Sequence, residues 1–397
     1  MKKLLLAVAL LCVCNAYAQN KTEVGKVLPD WSEGCLDIHL INSGRGECCF
    51  YILPDGTTLL VDAGEIVKGK ILVEARPNEQ VRPYITYARY IKHFMPKGKT
   101  AIDYCHVTHF HIDHMGSYKT ATEKSPVGYY KTGLLALYDE IPYNHILDRG
   151  YPSYEEDFMT PKMVGQTSKD WAKFVTWGVK EKRFTAERFT VGTKQIVLRN
   201  NPDKYKDFSI FNVCAHGFSW AKDHNGEGML IGGKVERGGN PASCGFHLTY
   251  GKFDYMACGD VSWSSQDMTA YYFRDFIGEG KLDAAKAIHH LAHNGWGKMM
   301  RVFNYDPQVV IDPCFASNKP YPEPVAYVLP RIKAFFANNI HPDMAASHKD
   351  LVDQIAGYNG HIALRVMPGG DEFYVYMLDD SDFEYRVKSI HGPYKSR

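Results

Sequence analysis

The 397-residue sequence predicts an α/β (α+β) fold, and three observations predict it. β-Rich apolar runs bounded by Gly, Pro and Asp turn signals recur from residue 36 to residue 377. Segments with helical patterning, 134–148, 168–182 and 325–338, stand among them. Several predicted strands end in histidine or aspartate, so ligand-type side chains can converge while their backbone stays anchored in a sheet.

The elements follow in order. Lys2 and Lys3 precede the apolar run 4–13, and Ala16-Tyr17-Ala18 forms an Ala-x-Ala cleavage site. Residues 1–18 therefore read as a secretory signal peptide. The run is too short to span a bilayer, which takes about 20 residues. Leu11 and Val13 are too bulky to precede a lipid-bearing cysteine at Cys12 or Cys14. The mature chain is expected to be periplasmic or extracellular, with no membrane span. Residues 19–34 read as a linker, and 35–397 as one domain with no repeat or low-complexity break. Two β-rich runs over 36–64, joined by Pro54-Asp55-Gly56, read as a hairpin. A strand over 102–107 follows.

Residues 125–205 form an insert with two of the helices and a strand at 191–199. It concentrates Tyr129, Tyr130, Tyr138, Tyr143, Tyr151, Tyr154, Trp171 and Trp177, either as a pocket wall or as the insert's own core. A strand over 208–217 ends in His216, and 217–239, rich in Gly and charge, reads as a loop. A hairpin over 246–258 ends in Gly259-Asp260, and 287–295 carries His289, His290 and His293. A closing hairpin, 362–367 with 373–377, turns at Pro368-Gly369-Gly370-Asp371.

Composition excludes a polyelectrolyte. Lys and Arg number 46 against 45 Asp and Glu, so there is no basic excess of the kind phosphate neutralisation demands. Of ten cysteines, Cys12 and Cys14 leave with the signal. Cys48 and Cys49 point to opposite faces of one strand, and Cys105, Cys214 and Cys258 sit in apolar strands, so few disulfides or none are expected. No Cys-x-x-Cys pair and no Gly-x-Ser-x-Gly elbow appears.

The densest chemistry is Thr108-His109-Phe110-His111-Ile112-Asp113-His114 at the end of the 102–107 strand. Three imidazoles and a carboxylate at this density suit a borderline-soft divalent metal, zinc above all. This His-x-His-x-Asp-His spacing resembles the signature of the metallo-β-lactamase superfamily, and Asp62-Ala63-Gly64 and Gly259-Asp260 stand in the same order as its other motifs. Within the superfamily, residues 35–300 look most like the corresponding domain of bacterial DNA-uptake (competence) channel proteins. That branch has Asp where His111 stands and Gly-x-Gly-Asp-Ser where Gly44-Arg45-Gly46-Glu47-Cys48 stands.

The resemblance implies an αββα sandwich of two mixed sheets flanked by helices, holding two divalent ions: zinc first, manganese or iron as alternatives. It assigns His109, His111 and His216 to one metal, with His224 as the fallback for His216. Asp113 and His114 go to the second metal, and Asp260 bridges both. His293 is the choice for the last ligand among His289, His290 and His293. Asp62 buttresses the histidine loop, and Asp113 orients the attacking water and accepts its proton. The implied activity is hydrolysis of an ester, amide or phosphodiester, the last slightly favoured, on a small-molecule or phosphodiester substrate. A β-lactamase or lactonase and an iron oxidoreductase are the alternatives, and a catalytically idle scaffold is disfavoured by the complete ligand set.

Overall fold

Cys48–Ile52 shows why the chain forms a layered sheet protein. Its side chains alternate, Cys48, Phe50 and Ile52 toward one apolar cluster and Cys49 and Tyr51 toward another, and all five are buried. A strand apolar on both faces needs cover on both. The computed structural model describes residues 22–154, 165–232 and 239–397; the signal segment lies outside these.

The strands in chain order are β1 (Leu36–Leu40), β2 (Cys48–Ile52), β3 (Thr58–Ala63), β4 (Ile102–His106), β5 (Tyr143–Asp148) and β6 (Thr185–Arg188). Next come β7 (Phe208–Ala215), β8 (Phe218–Lys222), β9 (Gly228–Ile231), β10 (Gly245–Tyr250), β11 (Phe253–Ala257) and β12 (Ala284–Lys286). The last are β13 (Val309–Asp312), β14 (Ala334–Ala337), β15 (Gly357–Tyr358), β16 (His361–Val366), β17 (Glu372–Leu378) and β18 (Val387–Lys395). They form two mixed sheets, β18-β17-β16-β1-β2-β3-β4-β5-β6 and β15-β14-β13-β12-β11-β10-β7-β8-β9. From β3 to β6, and from β11 to β15, neighbours run parallel.

The sheets pack face to face. Leu36, Ile38, Tyr51 and Val61 of the first share a core with Phe246, Leu248, Tyr255 and Val309 of the second. Helices Pro83–Phe94, Gly133–Glu140 and Gln166–Lys180 cover the outer face of the first sheet. Trp263–Tyr272 and Pro322–Val328 lie on the outer face of the second. This is the expected αββα order. Among the described residues, no helix is long and apolar enough to cross a membrane.

Several expected elements differ. The helix expected at 134–148 stops at Glu140, and Tyr143–Asp148 is β5, because Pro142 cannot continue a helix. The one expected at 325–338 ends at Val328; Pro330 lies in a short 3₁₀ turn, and Ala334–Ala337 becomes β14. The strand expected at 191–199 is irregular, with Gly192 at φ 83°, and the paired strand is Thr185–Arg188 instead. The loop expected at 217–239 contains the hairpin of β8 and β9, with 233–238 outside the described residues. The insert's rings pack on one another, Trp171 against Phe174 at 5.6 Å and Tyr138 against Phe174 at 5.0 Å, so they build the core. All eight cysteines from Cys35 to Cys314 are buried thiols.

Candidate metal centre

The carboxyl ends of the parallel strands in both sheets meet at one end of the sandwich, the place where such sheets hold ligands. β4 runs out into Thr108 and the histidine motif, β11 into Gly259 and Asp260, and β12 into the turn carrying His289 and His290.

Asp62, near the end of β3, fixes the motif. It accepts from the Thr108 backbone N–H (2.9 Å) and hydroxyl (2.6 Å), and lies 2.8 Å from Nδ1 of His114. That contact turns Nε2 of His114 toward the site, which is how a carboxylate behind a metal-ligand imidazole acts. Glycines let the backbone close up. A Cβ on Gly64 would lie 1.8 Å from the Asp113 carbonyl, which also accepts from the Glu47 N–H at 2.9 Å.

Four side chains then converge. Nε2 of His114 is 3.2 Å from Oδ2 of Asp260, and Nε2 of His290 is 3.4 Å from the same oxygen. Oδ2 of Asp113 is 4.0 Å from His114 Nε2 and 3.9 Å from His290 Nε2. Ligand atoms around a tetrahedral zinc, each ~2.0–2.1 Å from the ion, stand about 3.3 Å apart, so this spacing is close to that of a metal shell. Both carboxylate oxygens of Asp260, Nε2 of His109 and His114, and both ring nitrogens of His290 are sealed from solvent yet make no hydrogen bond. Native interiors rarely leave such atoms unsatisfied, and a cation would satisfy them together. The residues present fit a divalent metal.

The other predicted ligands are placed as follows. His109 and His111 pack ring to ring at 4.6 Å, and His109 lies 4.2 Å from the His114 ring. His216 occupies the turn after β7 at φ 57°, beside the β10 end whose Cys244 N–H donates to the Thr108 carbonyl. His224 is exposed in the β8–β9 turn.

The structure brings His290, not His293, to Asp260. His293 is exposed and lines a separate cleft with Asp267, Trp296 and Arg301. His289 is 3.8 Å from Asp260, but its two nitrogens already meet Asn294 Oδ1 (2.7 Å) and Asn240 Nδ2 (2.9 Å). The reason lies in the backbone. β12 ends at Lys286, and His289, His290 and Leu291 all take left-handed φ values of 51°, 49° and 46°, which undo the strand alternation the sequence suggests.

Glu47, Lys286 and Lys319 were not anticipated. Oε2 of Glu47 is 2.8 Å from Nζ of Lys286 and 3.6 Å from Nδ1 of His290. Glu47 clusters with His114, Asp260 and His290, but it faces Nδ1 of both imidazoles, away from the Asp260 side, so it backs the ligands. The signal for Lys286 was present: it is the one charge within Ala284-Ala285-Lys286-Ala287. Lys319 places Nζ 3.5 Å from Oδ2 of Asp113.

Electrostatics favour the neutral, ligating form at four of the imidazoles. Burial, with help from Arg149 and Arg188, pushes His216 down to about 3, and burial outweighs Asp260 to push His290 down to about 3. Burial lowers His109 and His111 as well. These imidazoles are neutral at pH 7, the form that ligates. Burial opposes charge on His114 too, but Asp260, Asp62 and Asp113 outweigh it and raise its pKa.

No protein-family model matches the chain, and no curated protein matches it by sequence. Among solved structures it is similar to CmlA, a diiron β-hydroxylase from Streptomyces venezuelae, at 12% identity over 85% of this chain and TM-score 0.37. The chain spans 55% of that protein's length. It is similar to the metallo-β-lactamase SMB-1 bound to 2-mercaptoethanesulfonate, at 10% identity over 71% of this chain and 84% of that one, TM-score 0.33. It is also similar to the short form of human tRNase Z, at 11% identity, 81% and 89% coverage and TM-score 0.28.

Proposed function

We propose that this protein is an exported, metal-dependent hydrolase that attacks an ester, amide or phosphodiester bond with an activated water. The observation that carries the reading is the set of Asp113, His114, Asp260 and His290: Oδ2 of each carboxylate lies 3.2–4.0 Å from Nε2 of both imidazoles, and those nitrogens and the Asp260 oxygens make no hydrogen bond. His109, His111 and His216 would serve a second ion. Divalent cations there, zinc first, would lower the pKa of water toward ~7 and polarise the substrate's carbonyl or phosphoryl oxygen.

The chain's own groups do the rest. Asp113 is the one carboxylate of the set that reaches solvent, with its side chain 17% exposed against 1% for Asp260. It is therefore the group placed to orient a water and take its proton. Asp62 and Glu47 hold the imidazoles from behind, and Lys286 offsets the carboxylates' negative charge. The DNA-uptake resemblance keeps phosphodiesters among the substrates to test.

The experiment is elemental analysis of the purified protein with hydrolysis assays on bis(p-nitrophenyl) phosphate, p-nitrophenyl esters and nitrocefin. Close to two zinc or manganese ions with turnover of any of these supports the reading. Iron without hydrolysis would move the site to redox chemistry, and no metal after reconstitution would overturn it.

A further inference from the structure

Beside the metal centre lies a cleft of about 650 Å³ whose lining includes His111 and Asp113. Its apolar lining is Val67, Ile71, Leu72, Phe110, Ile112 and Tyr118, with Lys119, Gln166 and Ser168 among the polar groups that complete it. Four of these are large apolar side chains left open to water: Val67 at 48%, Ile71 at 54%, Ile112 at 44% and Tyr118 at 37%. Scattered apolar side chains on a surface need no explanation, but a cluster walling one concave site marks a binding surface. The cleft is continuous with the metal centre through Ile112 and Asp113, so its occupant reaches the reacting atoms.

The other side of Asp113 is cationic. Lys319 lies on the loop that pairs with the cleft's wall, through the Leu72–Ala316 bridge and a hydrogen bond from Ser317 N–H to the Ile71 carbonyl (2.6 Å). Its side chain is 14% exposed, and Asp113 is its one carboxylate partner among the described residues. A half-buried ammonium beside a reaction centre recognises an anion.

Resting on the hydrolase reading above, we propose that the substrate is an amphipathic anion: a phosphate- or carboxylate-bearing ester whose charge meets Lys319 and whose apolar arm fills the Val67–Ile71–Tyr118 cleft.

The test uses the zinc-reconstituted full chain and alkyl p-nitrophenyl phosphates with methyl, butyl and octyl arms. A parallel set of neutral p-nitrophenyl acyl esters has matching lengths. From methyl to octyl, kcat/KM is expected to rise about tenfold or more as methylenes enter the cleft. Val67→Asp with Ile71→Asp should bring the octyl-to-methyl ratio close to one. Lys319→Met should cut the preference for anionic over neutral substrates about tenfold, acting mainly on KM.

A readout that needs no turnover is calorimetry on the metal-free protein with octylphosphonate, octanoate and methylphosphonate. Tighter binding of either octyl anion supports the cleft, and the tighter of the two identifies the head group. Turnover with no dependence on arm length, or equal binding of octyl- and methylphosphonate, would overturn the inference and leave the hydrolase reading standing. Octyl-selective binding with no metal-dependent turnover would instead remove the hydrolase reading and keep the cleft.

Discussion

The Asp37–Arg365 pair and the Asp113–His114–Asp260–His290 cluster both take charge out of water, and only the first satisfies itself. Asp37 receives Nε of Arg365 at 2.8 Å and its terminal nitrogen at 2.6 Å, a bidentate match between β1 and β16. The metal centre instead brings three buried groups and a half-buried one together and leaves the facing atoms of His114, Asp260 and His290 without hydrogen bonds. A self-satisfied buried pair holds the sheet together. An unsatisfied one costs stability until something binds, so its retention points to function.

That contrast can be broken from either side. The largest effect expected is on turnover: Asp113→Ala should lower kcat by about 10³-fold or more, with far-UV circular dichroism unchanged, since it removes the group that aims and deprotonates water. Full activity in that variant on every substrate found would contradict the assigned role. Next comes Arg365→Met, which leaves Asp37 buried without its partner. It should destabilise the fold by about 3–5 kcal/mol in chemical denaturation while zinc affinity in the folded protein stays as in the parent.

Asp62→Ala couples the two kinds of site. Losing its contacts to Thr108 and His114 should weaken zinc binding about 10–100-fold in a chelator competition, and lower the melting temperature too.

Acid sharpens the comparison further. Burial opposes the charge on Asp37, but Arg365 outweighs it and holds the carboxyl at about 2, below the ordinary 3.8. Its contribution is complete above pH 3.8 and is lost as pH falls through 2, worth about 2 kcal/mol. Denaturation curves of the parent and Asp37→Asn over that window should converge toward low pH. The smallest effect belongs to His293→Ala, which should change stability by no more than about 0.5 kcal/mol and leave metal content as it is.

How much of this was legible in sequence follows the range of the interactions. The histidine motif and the closing hairpin are local, each written within a few tens of residues, and they read directly, whereas the first run of the opening hairpin divides into β1 and β2 around residues 41–47. β5 and β14 did not read directly, because each follows a helix closely and the apolar pattern continues across the proline between them (Pro142, Pro330). His290 was among the alternatives, but choosing it needs the three left-handed residues after β12, which no periodicity encodes. Glu47 and Lys286 lie 239 positions apart and meet only because β2 and β12 reach the same end of the sandwich.

The central claim is that Asp113, His114, Asp260 and His290 surround a cation. Crystals grown with zinc and measured at the zinc absorption edge test it most directly. The account predicts an anomalous peak bounded by Oδ2 of Asp113, Oδ2 of Asp260 and Nε2 of His114 and His290. Zinc found only at surface histidines such as His293, with no peak among those four atoms, would contradict it.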